Sequence, residues 1–207
     1  MFLEMFGDPV RNEKGWDVVS LEKVCNKITD GTHKTPVYQD EGVKFLSAKN
    51  IRGGVIDWDK IKYISTEEHL PLIKRCKPEL GDIMLSKSGS IGTAVIVDRN
   101  EEFSIFESLA LLKPKHNLIV PDYLCGLLNN PRLQEKYLGS VKGISIKHLH
   151  LEDIRKIKVP LPPIENQKLF KNFVQTLNAF GRKTHSASES SDFLFDAITQ
   201  RAFRGEL

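Results

Sequence analysis

Four short polar stretches hold the side chains best suited to meet a charged ligand. They are Thr32-His33-Lys34, Lys49-Asn50 with Arg52, Lys87-Ser88 with Ser90, and Lys142, Ser145, Lys147 and His148. Each is punctuated by glycine: Asp30-Gly31 precedes the first, Gly53-Gly54 closes the second, Gly89 and Gly92 lie in the third, and Gly139 precedes the fourth. Glycine lets a backbone turn sharply or approach another chain closely, so these stretches read as loops. Lysine suits phosphate contacts, whereas asparagine and arginine make bidentate bonds to adenine and guanine edges. Were the ligand a nucleic acid, Asn50 and Arg52 would be the first choices for direct base readout. The bland reading is that surface loops are polar in any protein, and that Ser88 or Ser90 serves only its turn.

A self-sufficient enzyme needs a constellation, and the usual ones are missing. A common metal-dependent nuclease places an acid two residues before a lysine, and no lysine in this chain has one there. An amino-methyltransferase loop would read polar-Pro-Pro-aromatic, whereas Leu161-Pro162-Pro163-Ile164 has apolar residues on both sides. Ser88-Gly89-Ser90-Ile91-Gly92 lacks the glycine two before Ser90 that a nucleophile elbow requires, and it lacks the Gly-Lys-Ser/Thr ending of a P-loop. His148-x-His150 could face one side of a strand and bind zinc, but no third ligand is nearby, and DNA-facing or surface histidines are the commoner reading. No catalytic residue and no metal ligand is assigned.

The elements that must position these loops form an irregular mixture. Strands are expected at Val43–Ser47, Ile61–Ile64, Leu80–Ser86, Thr93–Val97, within Phe103–Leu112 and at Ile157–Leu161. Helices are expected at Thr66–Lys74, Asp122–Asn129 and Pro131–Leu138, with the last turn of another helix at Met1–Gly7. Trp16–Cys25 reads as a strand entry and a short helix, and Ile28–Pro36 as a loop. No βα unit repeats, so the class is α+β, or irregular α/β. The formal charge is only +3, but Val141–Lys158 carries five basic residues against two acidic ones, a local bias that suits a phosphate-facing surface. Cys25, Cys76 and Cys125 have neither metal-ligand nor redox spacing. Reduced thiols and a cytoplasmic home are expected, and no apolar run reaches membrane-spanning length.

The junction Pro160-Leu161-Pro162-Pro163-Ile164-Glu165-Asn166-Gln167 divides the chain. Three prolines in four residues end a strand, and the double proline is a suitable lead-in to a helix. Beyond it a heptad seam runs through Phe170, Phe173, Leu177, Phe180, Ala187, Leu194 and Ile198, with polar breaks near the serine-rich 186–191 stretch. Continuous from 164 to 203, such a helix would span roughly 60 Å and could not bury its seam alone. The expected organisation is residues 1–15 as a helix end and linker, 16–161 as a recognition domain, and 162–207 as a helical spacer arm.

Taken in order, several stretches resemble the DNA-specificity subunits of type I restriction-modification systems. They are Met5-Phe6-Gly7-Asp8-Pro9, Ile28-x-Asp30-Gly31-x-His33, Phe45-Leu46-Ser47, Gly81-Asp82-Ile83-Met84-Leu85-Ser86 and Gly89-x-Ile91-Gly92. The junction through Gln167 and the tail Arg201-Ala202-Phe203-Arg204-Gly205-Glu206-Leu207 complete the set. The family has Glu-Gln where this chain reads Asn166-Gln167. It pairs two target-recognition domains with two long antiparallel helices, and this chain has one of each, like half such a subunit. The resemblance implies double-stranded DNA as ligand, with separate methyltransferase and restriction subunits as partners. S-adenosylmethionine, ATP and magnesium chemistry would reside in those partners, and no cofactor in this chain. A homodimer through the arm would place two readers on one duplex. Two other readings stay open: a stand-alone nuclease or modification enzyme with an unrecognised site, and a coiled-coil adaptor without a DNA role.

Overall fold

Two apolar runs, Ile83-Met84-Leu85 and Leu109-Ala110-Leu111-Leu112, lack the polar alternation of a one-sided strand because both faces of their sheet are covered. The computed structural model describes residues 1–139, 148–177 and 179. The N-terminal part runs α1 (Phe2–Phe6), β1 (Asp17–Ser20), α2 (Leu21–Val24), β2 (Cys25–Asp30) and β3 (Val43–Leu46). A 3-10 turn (Ala48–Asn50) leads into β4 (Ile51–Arg52), β5 (Val55–Ile56), β6 (Lys62–Ile64) and α3 (Thr66–Arg75). Then come β7 (Ile83–Ser86), β8 (Ala94–Ile96), β9 (Phe103–Ile105) and β10 (Leu109–Pro114). Helices α4 (Pro121–Leu128), α5 (Pro131–Gly139) and α6 (Leu151–Lys156) precede β11 (Lys158–Leu161), and a helix over 164–177, here α7, follows.

The central sheet has strand order β2-β10-β7-β8 and is antiparallel throughout. Successive strand side chains point to opposite faces, so one run feeds two cores. Ile83, Leu85, Ala110 and Leu112 face Leu21, Tyr123, Leu124 and Leu127 from the helical layer. Met84, Leu109 and Leu111 face Phe103, Ile105, Leu46 and Trp58 on the other side. That second layer contains the sheet β6-β3-β9, in which β3 runs antiparallel to β6 and parallel to β9. The mixed α/β class and most expected elements are present. Cys25–Asp30, expected partly as loop, is instead an edge strand of the central sheet, paired with β10. Residues 49–54, expected as a loop, instead divide between the 3-10 turn, which holds Lys49 and Asn50, and the β4–β5 hairpin, whose turn is made by Gly53 and Gly54 at φ 58° and 80°.

Residues 1–15, expected as a helix end and linker, contribute to the first core. Phe6 is buried, its ring 4.7 Å from Tyr123 and 5.6 Å from Phe170, and Phe2 lies 5.4 Å from Phe170. Phe170 is thereby corrected as a free seam residue: it closes the domain's own aromatic cluster. The domain's ends meet again where β1 pairs antiparallel with β11, setting Val18 opposite Pro160.

The proline junction is fixed by a buried amide. Gln167, fully buried on the first turns of α7, accepts a hydrogen bond from the Val120 backbone N–H at 2.8 Å. Its side-chain NH2 donates to the carbonyls of Pro162 at 2.8 Å and Leu118 at 3.2 Å. Tyr123 donates its hydroxyl hydrogen to the Pro160 carbonyl at 2.9 Å. The helix therefore leaves the domain at a set angle. Gln167→Ala would strand Val120 N–H and two carbonyls in a dry site, and a loss of about 2–4 kcal/mol in urea unfolding is expected. Gln167→Glu sets a carboxylate against those two carbonyl oxygens in the same dry site and should lose at least as much at neutral pH.

Candidate nucleic-acid interface

A buried carboxylate organises the polar end of the molecule. Asp30 ends β2, and Gly31 follows it where an added Cβ would lie 2.0 Å from the Ile105 carbonyl oxygen. Only glycine permits that approach, which lets Thr32 N–H donate to Ile105 O at 3.1 Å. Lys87, one residue past the end of β7, is 2% exposed and places its Nζ 2.6 Å from Asp30 Oδ2. The Arg75 guanidinium reaches the other Asp30 oxygen from the end of α3, and His33 Nε2 lies 3.3 Å from Oδ2. Burial works against charging Asp30, but the Lys87 hydrogen bond and the charges of Lys87, Arg75 and His33 outweigh it and hold the carboxyl below the usual aspartate value.

From this pair the surrounding loops are tied together by backbone bonds. Lys87 N–H donates to Ser108 O at 2.8 Å, and Leu149 N–H donates to Lys87 O at 2.8 Å. Ala48 N–H donates to Ser108 Oγ at 3.0 Å, and Glu107 N–H to Thr32 O at 3.0 Å. Glu107 Oε2 then lies 3.9 Å from Lys87 Nζ and 3.4 Å from His148 Nε2. Burial first, then the Lys87 charge, holds His148 below the usual histidine value, against the opposing pull of Glu107.

These loops enclose a groove of about 570 Å³. Tyr38, Phe45 and Phe106 supply its aromatic part, Ser88 and Ser90 a hydroxyl edge, and Lys49, Arg52, Lys60 and Lys62 its cations. None of those four cations has an ion-pair partner among the described residues, although Lys62 Nζ sits 3.7 Å over the Tyr38 ring. Unpaired cations beside aromatic rings and hydroxyls form a surface suited to a nucleic-acid backbone and base edges.

The expected residues divide clearly. Lys49, Arg52, Ser88 and Ser90 line this one groove although they come from separate loops. Thr32 is half-buried beneath it, and its hydroxyl bonds within its own loop to Lys34. His33 and Lys34 are exposed but do not line the groove, and His148 approaches it through Glu107. Lys142, Ser145 and Lys147 lie outside the described residues. Two expectations are corrected. Lys87 is an internal counter-ion, because its ammonium is sealed against Asp30. Asn50 also borders the groove but is buried, with its Oδ1 accepting from Ser47 N–H at 2.9 Å and its NH2 donating to Lys60 O at 2.8 Å, so its amide ties the 3-10 turn to the Lys60 segment. Lys60, Lys62, Tyr38 and Glu107 were not anticipated; the alternation of Lys60 and Lys62 at the start of β6 was the available signal.

Residues 13–188 match the family described as Type I restriction modification DNA specificity domain. The chain belongs to this family. It is 31% identical over 171 residues to the type I restriction enzyme EcoBI specificity subunit of Escherichia coli, covering 81% of this chain and 36% of that one. A putative type I restriction enzyme MjaX specificity subunit of Methanocaldococcus jannaschii is 27% identical, with 79% and 41% covered. The crystal structure of the HsdS subunit from Thermoanaerobacter tengcongensis shares the fold at a TM-score of 0.55 and 22% identity, covering all of this chain and 49% of that one. The chain thus spans between about a third and a half of these relatives. The specificity-domain stretch Ile28-x-Asp30-Gly31-x-His33 acquires a physical meaning here: the acid anchors Lys87, the glycine allows the strand approach, and the histidine flanks the carboxylate.

Removing one member of a buried ion pair leaves the other charge stranded, at a cost of about 3–5 kcal/mol, whereas replacing both by apolar groups is often nearly neutral. Asp30→Asn should therefore be more destabilising in urea than the double change Asp30→Leu with Lys87→Met. Because the folded carboxyl titrates below 3.8, its contribution is complete above that value and is lost as pH falls through the lowered one. The Asp30→Asn variant should show a flatter loss of stability with acidification below pH ~4.

Proposed function

We propose that this chain is the sequence-reading subunit of a type I restriction-modification assembly, with double-stranded DNA bound in the groove between the Lys49–Arg52 and Ser88–Ser90 loops. The observation that carries this reading is the set of four cations, without an ion-pair partner among the described residues, around a groove whose loops are tied to one buried ion pair. The family supports it, as do relatives named specificity subunits. Residues 16–161 act as the recognition domain. Chemistry on the DNA is left to methyltransferase and restriction subunits that use S-adenosylmethionine, ATP and magnesium, and the assembly works in the cytoplasm. No helix among the described residues is long and apolar enough to cross a membrane.

Residues 162–207 serve as the spacer arm in this reading. Its first turns are clamped to the domain through Gln167 and Phe170, while Phe173 is half-buried and Leu169 and Leu177 are exposed. Phe180, Ala187, Leu194 and Ile198 lie outside the described residues. The arm pairs with the corresponding helix of a second copy, which makes the target an inverted repeat with a fixed gap, since a two-fold protein is mirrored in its site. Analytical ultracentrifugation of the full chain with its methyltransferase partner should show two recognition chains per complex. A single chain at all concentrations would remove the homodimer from the scheme.

Methylated positions mapped in DNA exposed to the complete complex would give the target directly. Against that target, Arg52→Ala should relax preference at one base pair by roughly tenfold. Lys49→Ala should weaken all sequences alike and lower the slope of log affinity against log salt by about 1. Arg52→Ala with affinity and preference both unchanged would sink the groove assignment of that residue.

A further inference from the structure

The groove's lining includes one acid among its four cations. Glu107 sits on the turn between β9 and β10, and its side chain is about one quarter exposed. A carboxylate repels phosphate, so it weakens binding of any polyanion unless it makes a contact that only part of the polyanion can offer.

Lys87 donates its hydrogen bond to Asp30 at 2.6 Å, and at 3.9 Å Glu107 acts on it only as a more distant charge, without a hydrogen bond. Both lysine and histidine approach the same oxygen, Oε2, while Oε1 accepts no hydrogen bond from the described residues. The backbone carrying the side chain is held on both sides. Phe106 N–H donates to Leu46 O at 2.8 Å, Glu107 N–H to Thr32 O at 3.0 Å, and Ser108 Oγ accepts from Ala48 N–H. A fixed acceptor with one oxygen open, set among phosphate-binding cations, is the arrangement that reads a donor on a base edge. In the major groove the donors offered by bases are exocyclic amino groups, the N4 amine of cytosine and the N6 amine of adenine.

We propose that Glu107 is a specificity-determining residue that accepts a hydrogen bond from the exocyclic amino group of one base in the recognised sequence. The inference rests on the reading of the groove as the DNA site. Lys49, Arg52, Lys60 and Lys62 supply affinity without regard to sequence, and Glu107 makes that affinity conditional on an amino group at one position.

The test enriches bound duplexes from a random pool with the full chain and its partner subunits, for wild type and for Glu107→Gln. Wild type should enrich a site with a fixed cytosine or adenine at one position that Glu107→Gln no longer fixes, the other positions being retained. Glutamine can both accept and donate, so a shift toward adenine is expected where cytosine was read. Replacing the amino group by hydrogen in that site, with 2-pyrimidinone for cytosine or purine for adenine, should weaken wild type roughly 10- to 100-fold and leave Glu107→Ala, which has no acceptor, little changed. Whichever analogue acts identifies the base. If Glu107 only braces Lys87 and His148, the variant will lose affinity for every sequence equally and keep the same preferred site. That result overturns the inference and leaves the groove reading intact. A wild-type complex that enriches no sequence overturns both.

Discussion

The Asp30–Lys87 pair is the constraint on which the groove and its loops depend. Both side chains are about 3% exposed, so neither charge can be satisfied by water. Taking two ions out of water costs several kcal/mol each, and their attraction returns that only when the geometry is good. Such a pair adds little net stability over two apolar residues of the same size. What it does add is a single acceptable arrangement. The end of β2 and the start of the loop after β7 must meet at Asp30, or a charge is left buried alone, while the half-exposed Arg75 adds a second contact from the end of α3. An apolar core tolerates small slips between layers; a buried ion pair does not. The loops that line the groove are fixed by that intolerance.

A parallel device acts at the opposite end of the domain. Gln167 uses both polar ends of its amide on three backbone groups, and Phe170 inserts into the ring cluster of Phe2, Phe6 and Tyr123. The prolines stop β11 from running on, but they do not by themselves set the direction of the helix. Direction comes from the amide, whose hydrogen bonds are geometrically narrow, and from the aromatic packing, which fills the space around it. Both ends of the domain therefore obtain precision from buried polar groups with apolar surroundings that make misalignment expensive.

The central strands were legible in the sequence because they are buried on both faces. Ile83-Met84-Leu85 and the Leu109–Leu112 run are short, apolar and bounded by turn residues, which favours a strand over a buried helix. β2 was harder to see, since an edge strand of pattern Cys-Asn-Lys-Ile-Thr-Asp alternates poorly and ends in residues usually found in turns. The groove was partly legible: Lys49, Arg52, Ser88 and Ser90 were marked by residue type and by flanking glycine, and they do come together. Lys87 was misread because its partner is 57 residues away, and no local pattern reveals such a pairing. Asn50 was misread for a different reason. Its partner Ser47 is only three residues earlier, so the capping arrangement could have been recognised as a local alternative to DNA readout.

These two misreadings separate affinity from positioning in a way that composition could not. Polar residues in the loops fall into a buried set, Asp30, Asn50 and Lys87, and an outward set, Lys49, Arg52, Lys60, Lys62, Ser88 and Ser90. The buried set is satisfied internally and gains nothing from a ligand. The outward cations have no ion-pair partner among the described residues and would gain the most from a phosphate. Changing an outward residue should leave the loops in place, whereas changing a buried one alters where every outward residue stands. If the groove reads DNA as proposed, a new target can be acquired by substitution in the outward set alone, as long as the Asp30–Lys87 pair continues to hold the loops at the same separation.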